Sequence, residues 1–323
     1  MTGPPPGRDR RTGMRDAIDA VRAKSVGKSA TVLFAAGANY HEPMSTAAGV
    51  VLAGGRSSRM GSPKAALEWH GSTLLWRTVA IIGRATAGPV VVVRAPGQEL
   101  PPLPPDTEVV EDPREGQGPV QGIAAGLAAL ADRAEVAFVC STDLPFLHPA
   151  FVRLVVRAAA DGADVGLPVA RGYRQPLAAS YRTALAPAAA RLVRDGRLKP
   201  AFLFDECTVA MLDEAALRAD PVLAAFDPAL DSVVNVNEPA DYQAARARPA
   251  PEVTIQRFGV LADGRRGPEP VRAATVAEAA AAADVTLGRY VTAALNGDQI
   301  TRDGQTPLAA GDTVFFLSAD AGG

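Results

Sequence analysis

The chain has 323 residues, 48% of them hydrophobic and 21% charged, with a formal net charge of -2; that length suggests about two domains and readily supports a core. So neutral a balance gives no electrostatic case for nucleic acid or an acidic membrane surface, and no apolar run reaches the roughly 18 residues needed to span a bilayer. Two cysteines, Cys140 and Cys207, and three histidines, His41, His70 and His148, form neither a disulfide scaffold nor a zinc cluster, so a soluble, cytoplasmic protein in a reducing compartment is expected.

Residues 1–46 open with Pro4-Pro5-Pro6 and the arginines Arg8, Arg10 and Arg11, and read as a disordered or weakly structured extension with a short helical stretch near Asp16–Lys24. Thr31–Ala36 is apolar, but lies too far from the N-terminus and lacks the cleavage site of a signal peptide. No function is assigned to this segment.

The next stretch runs Gly49-Val50-Val51-Leu52-Ala53-Gly54-Gly55 and on through Arg59 to Lys64. It begins as an apolar strand and breaks at two glycines, where a ligand can approach bare amides. With Arg59 and Lys64 near, such a loop suits a polyphosphate. It is neither a Walker loop nor a GxGxxG fingerprint, and an ordinary strand-to-helix turn with solvated basic residues has the same glycine pair.

Leu67–Ala85 carries apolar residues at helical spacing, with Leu74, Leu75, Trp76, Val79 and Ile82 as the buried stripe. Val90–Val93 is a continuous apolar run of the kind buried in a parallel sheet, Thr107–Val110 a shorter strand, Gly118–Leu130 a helix, and Val136–Cys140 another buried strand. This alternation predicts an open, mostly parallel α/β sheet. Ligands of such sheets bind beyond the carboxyl ends of the strands. The glycine loop, Glu111-Asp112 and Ser141-Thr142-Asp143 each follow a strand and therefore share one rim. Asp143, on a stiff turn before Leu144-Pro145, suits Mg²⁺, which takes one or two carboxylates plus substrate phosphates. A helix cap for the segment beginning near Pro149 is the other reading. Strands at Val165–Pro168 and Pro176–Tyr181 flank a loop in which Arg171 and Arg174 either meet an anion or are solvated. Asn237 and Pro239 carry the signature of a helix start.

The order L-A-G-G-x-S-x-R-M-G-x-x-K at Leu52–Lys64 resembles the signature of the nucleotidyltransferases that make sugar nucleotides and cofactors, and within them the molybdenum cofactor guanylyltransferase (MobA) family. Gly118-Pro119-Val120-Gln121-Gly122, the Gln175-Pro176-Leu177 segment and Val234-Asn235-Val236-Asn237-Glu238-Pro239 extend the match. The resemblance implies a Rossmann-like domain over 47–248. Its nucleotide would lie on Leu52, Ala53, Gly54, Gly55, Lys64, Asp112 and Asp143, with Mg²⁺ on Asp143 and GTP as the nucleotide substrate. Lys64, Arg59 and Asp143 would carry catalysis, and Gln175, Asn235 and Asn237 would serve the acceptor or metal-bound water. The acceptor would be molybdopterin or the molybdenum cofactor, whose phosphate attacks the α-phosphorus and expels pyrophosphate. Arg94 stands where the guanylyltransferases tend to place a short amide side chain, which leaves CTP as an alternative nucleotide, and another phosphorylated acceptor as an alternative substrate.

After a linker at 249–251, the tail reads as a compact α+β module: a strand at Val253–Phe258, a helix at Val276–Ala283 capped by Thr275, a turn at Leu295-Asn296-Gly297-Asp298 and a last strand at Val314–Leu317. Ala294–Gly297, Pro307–Phe316 and the terminal Gly322-Gly323 make 252–323 resemble MoaD, the ubiquitin-like (β-grasp) sulfur carrier of molybdopterin synthesis, more than the thiamin carrier ThiS. A side-chain-free end can thread a narrow active site and carry sulfur as a thiocarboxylate; a frayed terminus also ends this way. The resemblance implies a MoaE-like large subunit and an E1-like adenylating enzyme as partners. Together the halves describe a bifunctional molybdenum cofactor biosynthesis protein, with a non-catalytic carrier or scaffold as the competing reading.

Overall fold

The computed structural model describes residues 47–54, 63–113, 116, 118–264 and 267–318. The expectations for residues 1–46, Gly55, Arg59, Gly322 and Gly323 therefore lie outside the described residues. The chain divides between Ala250 and Pro251 into two compact units.

The first unit is built on an eight-stranded sheet. Its members are β1 (Ala47–Leu52), β4 (Val90–Arg94), β5 (Glu108–Glu111), β6 (Val136–Ser141), β7 (Val165–Ala170), β8 (Tyr173–Arg174), β9 (Ala178–Arg182) and β10 (Val209–Leu212). The order is β10-β7-β9-β6-β1-β4-β5, with β8 paired to β7. β1 lies parallel to both β4 and β6, while β9 enters antiparallel between β6 and β7. The sheet is thus mostly parallel, as the continuous apolar runs predict, since strands covered on both faces cannot alternate with polar residues. Helices α1 (Leu74–Thr86) and α3 (Pro149–Ala160) cover one face. Helices α2 (Gly118–Leu130) and α4 (Ala186–Arg194) cover the other. Alternate residues of β1 supply the two cores: Ala47 and Val51 face α1, Ala48 and Val50 face α2.

The chain leaves β1 toward β4 and β5, then crosses back to form β6 on the other side of β1. Strand order reverses there, and the crevice at such a reversal is where open α/β sheets hold ligands. Leu52 and Ser141 are register partners at its lip.

One expectation is corrected. Residues 67–85 are not a single helix: a small hairpin, β2 (Glu68–Trp69) and β3 (Ser72–Thr73), precedes α1. His70 (φ 49) and Gly71 (φ 78) turn it through the left-handed region, and Thr73 caps α1 by accepting from Trp76 N–H. Trp69, Leu74, Val236 and Ala245 then form a satellite core beneath α5 (Pro239–Arg246).

The second unit is a mixed five-stranded sheet, β11 (Glu252–Arg257), β12 (Glu269–Arg272), β13 (Val291–Leu295), β14 (Gln299–Thr301) and β15 (Thr313–Ser318), in the order β12-β11-β15-β13-β14. β11 and β15 lie parallel at its centre; the remaining pairs are antiparallel. Helix α6 (Val276–Ala282) buries Val276, Ala279 and Ala280 against Val253, Ile255, Val314 and Phe316. Thr275 caps it, and Asn296 (φ 51) with Gly297 (φ 84) make the turn between β13 and β14.

Candidate active site

Lys64, Asp143 and Asn237 converge at the carboxyl ends of β1 and β6. Lys64 Nζ donates to Asp143 Oδ2 at 2.9 Å and to Asn237 Oδ1 at 2.8 Å. The Lys64 and Asp143 side chains keep 19% and 15% of their surface exposed, enough for a ligand to reach them and little enough to limit screening of their charges. Ser141 Oγ donates to the other carboxylate oxygen, Asp143 Oδ1.

Local structure explains each placement. Asp143 leaves β6 on a turn stiffened by Pro145, whose carbonyl accepts from the buried Arg77 Nε at 2.7 Å. It does not cap the next helix: His148 does, its Nδ1 accepting the Ala150 N–H at 3.1 Å. The segment before α5 runs beside this turn, with Val236 N–H donating to Asp143 O at 3.0 Å. Val236 is buried, which leaves Asn235 and Asn237 exposed on either side of it. Asp241 accepts from both Asn237 and Glu238 N–H, so the chain enters α5 with Asn237 fixed in direction.

The start of the glycine loop is held from the β4 side. Ala53 and Gly54 N–H both donate to Val93 O, and Gln98 bridges Ala53 O and Ala95 N–H through its amide. Gly54 does not adopt the left-handed backbone; what it provides is closeness, since a Cβ there would stand 3.2 Å from Ala95 N. Asp112 follows β5, anchored by its N–H to Arg94 O at 2.8 Å, and its carboxylate accepts from the Gln121 amide at the start of α2. Gly122 lets α2 approach β1 there, since a Cβ would meet Leu52 Cδ2 at 3.1 Å.

Other candidates have local partners. Gln175 donates its amide to Ala170 O and Tyr173 O, closing its own hairpin rather than reaching Lys64. Arg171 pairs with Asp231, and Arg94 with Glu111 and Gln98 O. Cys140 is fully buried, and burial followed by the nearby Asp143 charge pushes its thiol well above the ordinary range. Ser141 and Gln121 are the residues that sequence reading assigned no role; each bonds a carboxylate already singled out, and Ser141 stands only one residue before Thr142-Asp143. Among the described residues no three His, Cys, Asp or Glu gather around one point. No described helix is long and apolar enough to cross a membrane.

A lysine and a carboxylate facing each other at the reversal point of a doubly wound sheet, beside a glycine-edged strand end, suit an α/β protein that handles a phosphate-bearing ligand. Residues 49–209 match the family model described as "MobA-like NTP transferase domain". The chain is 44% identical over 162 residues to the probable molybdenum cofactor guanylyltransferase of Mycobacterium tuberculosis, covering 49% of this chain and 79% of that one. To the protein of the same name from Mycobacterium ulcerans it is 41% identical over 177 residues, covering 53% and 86%. Among solved structures, molybdopterin-guanine dinucleotide biosynthesis protein A from Archaeoglobus fulgidus superposes with a TM-score of 0.50 at 23% identity, covering 62% of this chain and 96% of that one. That likeness shows the Rossmann-like fold. The chain belongs to the MobA-like NTP transferase family and is a nucleotidyltransferase of the molybdenum cofactor guanylyltransferase type.

Proposed function

We propose that the first unit transfers GMP from GTP to the phosphate of molybdopterin or the molybdenum cofactor. The observation that carries this reading is the Lys64–Asp143–Asn237 cluster at the β1/β6 crevice, in a chain whose relatives are named for that reaction. The acceptor phosphate oxygen bonds to the α-phosphorus as the bond to the β-phosphate oxygen breaks and pyrophosphate leaves. An acceptor phosphate is already ionised, so no general base is needed, and positioning with charge neutralisation supplies most of the rate.

Lys64 supplies a fixed positive charge for the triphosphate, and Arg59 is proposed to assist it. The turn at Leu52, Ala53, Gly54 and Gly55 would lie against the nucleotide, with Asp112 on its other side; the Ala53 and Gly54 N–H groups donate to Val93 O and would shape the turn rather than bind the nucleotide. Gln175 and Asn235 are assigned to the acceptor side. The donor set fits Mg²⁺. Asp143 Oδ2 and Asn237 Oδ1 are hard oxygens already converging on one cation, the Lys64 ammonium, and substrate phosphates complete such a shell. When bound, Mg²⁺ would neutralise developing charge on the phosphates. Asp143 would hold it, aided by Asn237, while Ser141 orients the carboxylate and Lys64 turns to the phosphates.

For the second unit we propose a MoaD-like β-grasp sulfur carrier over 252–323, joined through 249–251 to the transferase domain at 47–248. Support comes from the strand order β12-β11-β15-β13-β14 with the two terminal strands parallel at the centre and one helix across the sheet. Gly322-Gly323 would carry the sulfur after activation by an E1-like adenylating enzyme, for delivery to a MoaE-like subunit. A cytoplasmic location suits both activities.

The test is pyrophosphate release by the full chain with Mg²⁺, molybdenum-loaded molybdopterin and either GTP or CTP. Product from GTP sustains the reading; product from CTP alone keeps the chemistry and changes the nucleotide; none from either removes the catalytic reading. Deleting Gly322-Gly323 should leave nucleotide transfer intact and abolish thiocarboxylate formation.

A further inference from the structure

Behind the active-site turn lies a buried polar group that the transfer chemistry does not use. Asp227 is 6% exposed and Ser232 fully buried. The Asp227 carboxylate accepts from Asp231 N–H at 2.6 Å and from Ser232 N–H at 3.1 Å, closing a tight loop that Leu230 enters in the left-handed conformation (φ 54). Ser232 Oγ in turn accepts from His148 N–H at 3.0 Å, and the His148 ring stacks on Phe226. His148 ends the stretch that begins at Asp143, and Ser232 begins the stretch that ends at Asn237. The two stretches run side by side in opposite directions. One rung joins Val236 N–H to Asp143 O at the active-site end, and the other joins His148 N–H to Ser232 Oγ at the buried end.

We infer that Asp227 and Ser232 are positioning residues for nucleotidyl transfer, the buried end of a two-rung clamp that holds Asp143 and Asn237 together at Lys64. The two groups come from distant parts of the chain; Asp241 sets the direction of Asn237 relative to α5, and the clamp sets that segment against the Asp143 turn. Outer residues of this kind set the orientation of charged and metal-binding groups that they never touch a substrate to influence. Burial raises the Asp227 carboxyl above its ordinary range, against the lowering effect of its bonds to Ser232 and Asp231, so it sits there at a cost in desolvation. The role in transfer rests on the function proposed above; the clamp itself does not.

The test therefore has two readouts in Ser232→Ala and Asp227→Asn, the second retaining volume and one acceptor oxygen should the first fail to fold. Hydrogen exchange of the full chain reports the clamp: Val236 N–H should exchange at least about tenfold faster in both variants, with the central strands unchanged. Steady-state pyrophosphate release reports the role. The kcat should fall about 10- to 100-fold, with KM for GTP within about twofold of the parent. Because the clamp acts in part through Asn237, Ser232→Ala combined with Asn237→Ala should lose less than the product of the two single losses. Unchanged exchange at Val236 overturns the clamp. A kcat equal to the parent's, a loss confined to KM, or simple additivity in the double variant overturns the positioning role. A parent chain that releases no pyrophosphate overturns the transfer reading instead, and the exchange result still decides the clamp.

Discussion

Lys64 Nζ and Asp143 Oδ2 are 2.9 Å apart across 79 residues of sequence, and the lysine reaches Asn237 Oδ1 from the same position. An ammonium between two oxygens is a cation site ready-formed at the crevice. Both charges are largely withdrawn from solvent, so their attraction is screened less than that of a surface pair.

Replacing either charge should therefore disable transfer and spare the fold. Lys64→Ala and Asp143→Asn are each expected to lower kcat/KM by about 10²–10³-fold, the loss typical of one electrostatic stabiliser of the transition state. Lys64→Arg should not restore activity, because a planar guanidinium cannot replace a compact ammonium between two oxygens. Circular dichroism should match the parent. Activity within a few-fold of the parent in either variant would dismiss the assignment.

The two asparagines of the Val234–Pro239 segment should behave differently. Asn237 bonds Lys64, whereas Asn235 stands exposed on the other side of Val236. Asn237→Ala should cost about tenfold or more in kcat, as loss of an outer partner of a metal or charge site does. Asn235→Ala should cost less in kcat and show itself mainly in KM for the acceptor. Equal losses in kcat would mean that both amides address the same group.

Much of this arrangement was legible in the sequence because the strands are apolar and continuous. Val90–Val93 and Val136–Cys140 need no partner to announce burial, and the rule for strand ends then places Asp112 and Asp143 on one rim. The hairpin ahead of α1 was not legible: Leu67–Ala85 reads as one stretch of helical spacing, and the left-handed turn at His70-Gly71 breaks it. Gly54 reads in the sequence as offering a bare amide to a ligand; its N–H instead donates to Val93 O and its missing Cβ gives closeness to Ala95, a difference that depends on which strand lies alongside. Ser232 carries no local signal, since the His148 N–H it accepts lies 84 residues away, and Asp227 reads as an ordinary loop acid because its N–H partners, Asp231 and Ser232, gain a role only through that distant contact.

The cysteines give a pH-dependent outcome. Burial first, then the charges of Asp164 and Glu206, push the Cys207 thiol up to about 11, and Cys140 also lies well above the ordinary range. The folded chain should thus alkylate slowly near pH 8, and Cys207 should accelerate only as pH climbs toward 11, followed by mass spectrometry. The sign for stability follows. Below the ordinary thiol range both states are protonated and the contribution is fully present. Between that range and about 11 the unfolded chain loses its protons first, and stability falls as pH rises. Rapid labelling of Cys207 at pH 8 would show that the thiol is not shielded.

Gly126 offers a test of the packing that seats α2 on β1. A Cβ there would stand 2.4 Å from Val50 Cγ1, inside any real contact, and Val50 is fully buried. Alanine in a helix interior is favoured over glycine by about 1 kcal/mol, whereas overpacking a core costs about 1–3 kcal/mol. The second effect should win, and Gly126→Ala should destabilise the first unit. Val50→Ala removes the two colliding methyls and leaves only the Cβ at 3.3 Å, so Gly126→Ala made in that background should destabilise much less. The coupling expected between the two is about 1–3 kcal/mol. Both tryptophans of the chain, Trp69 and Trp76, lie in the first unit, so denaturant unfolding followed by their fluorescence reads that unit alone. Gly126→Ala equally harmful with and without Val50 would mean that something other than this contact requires the glycine.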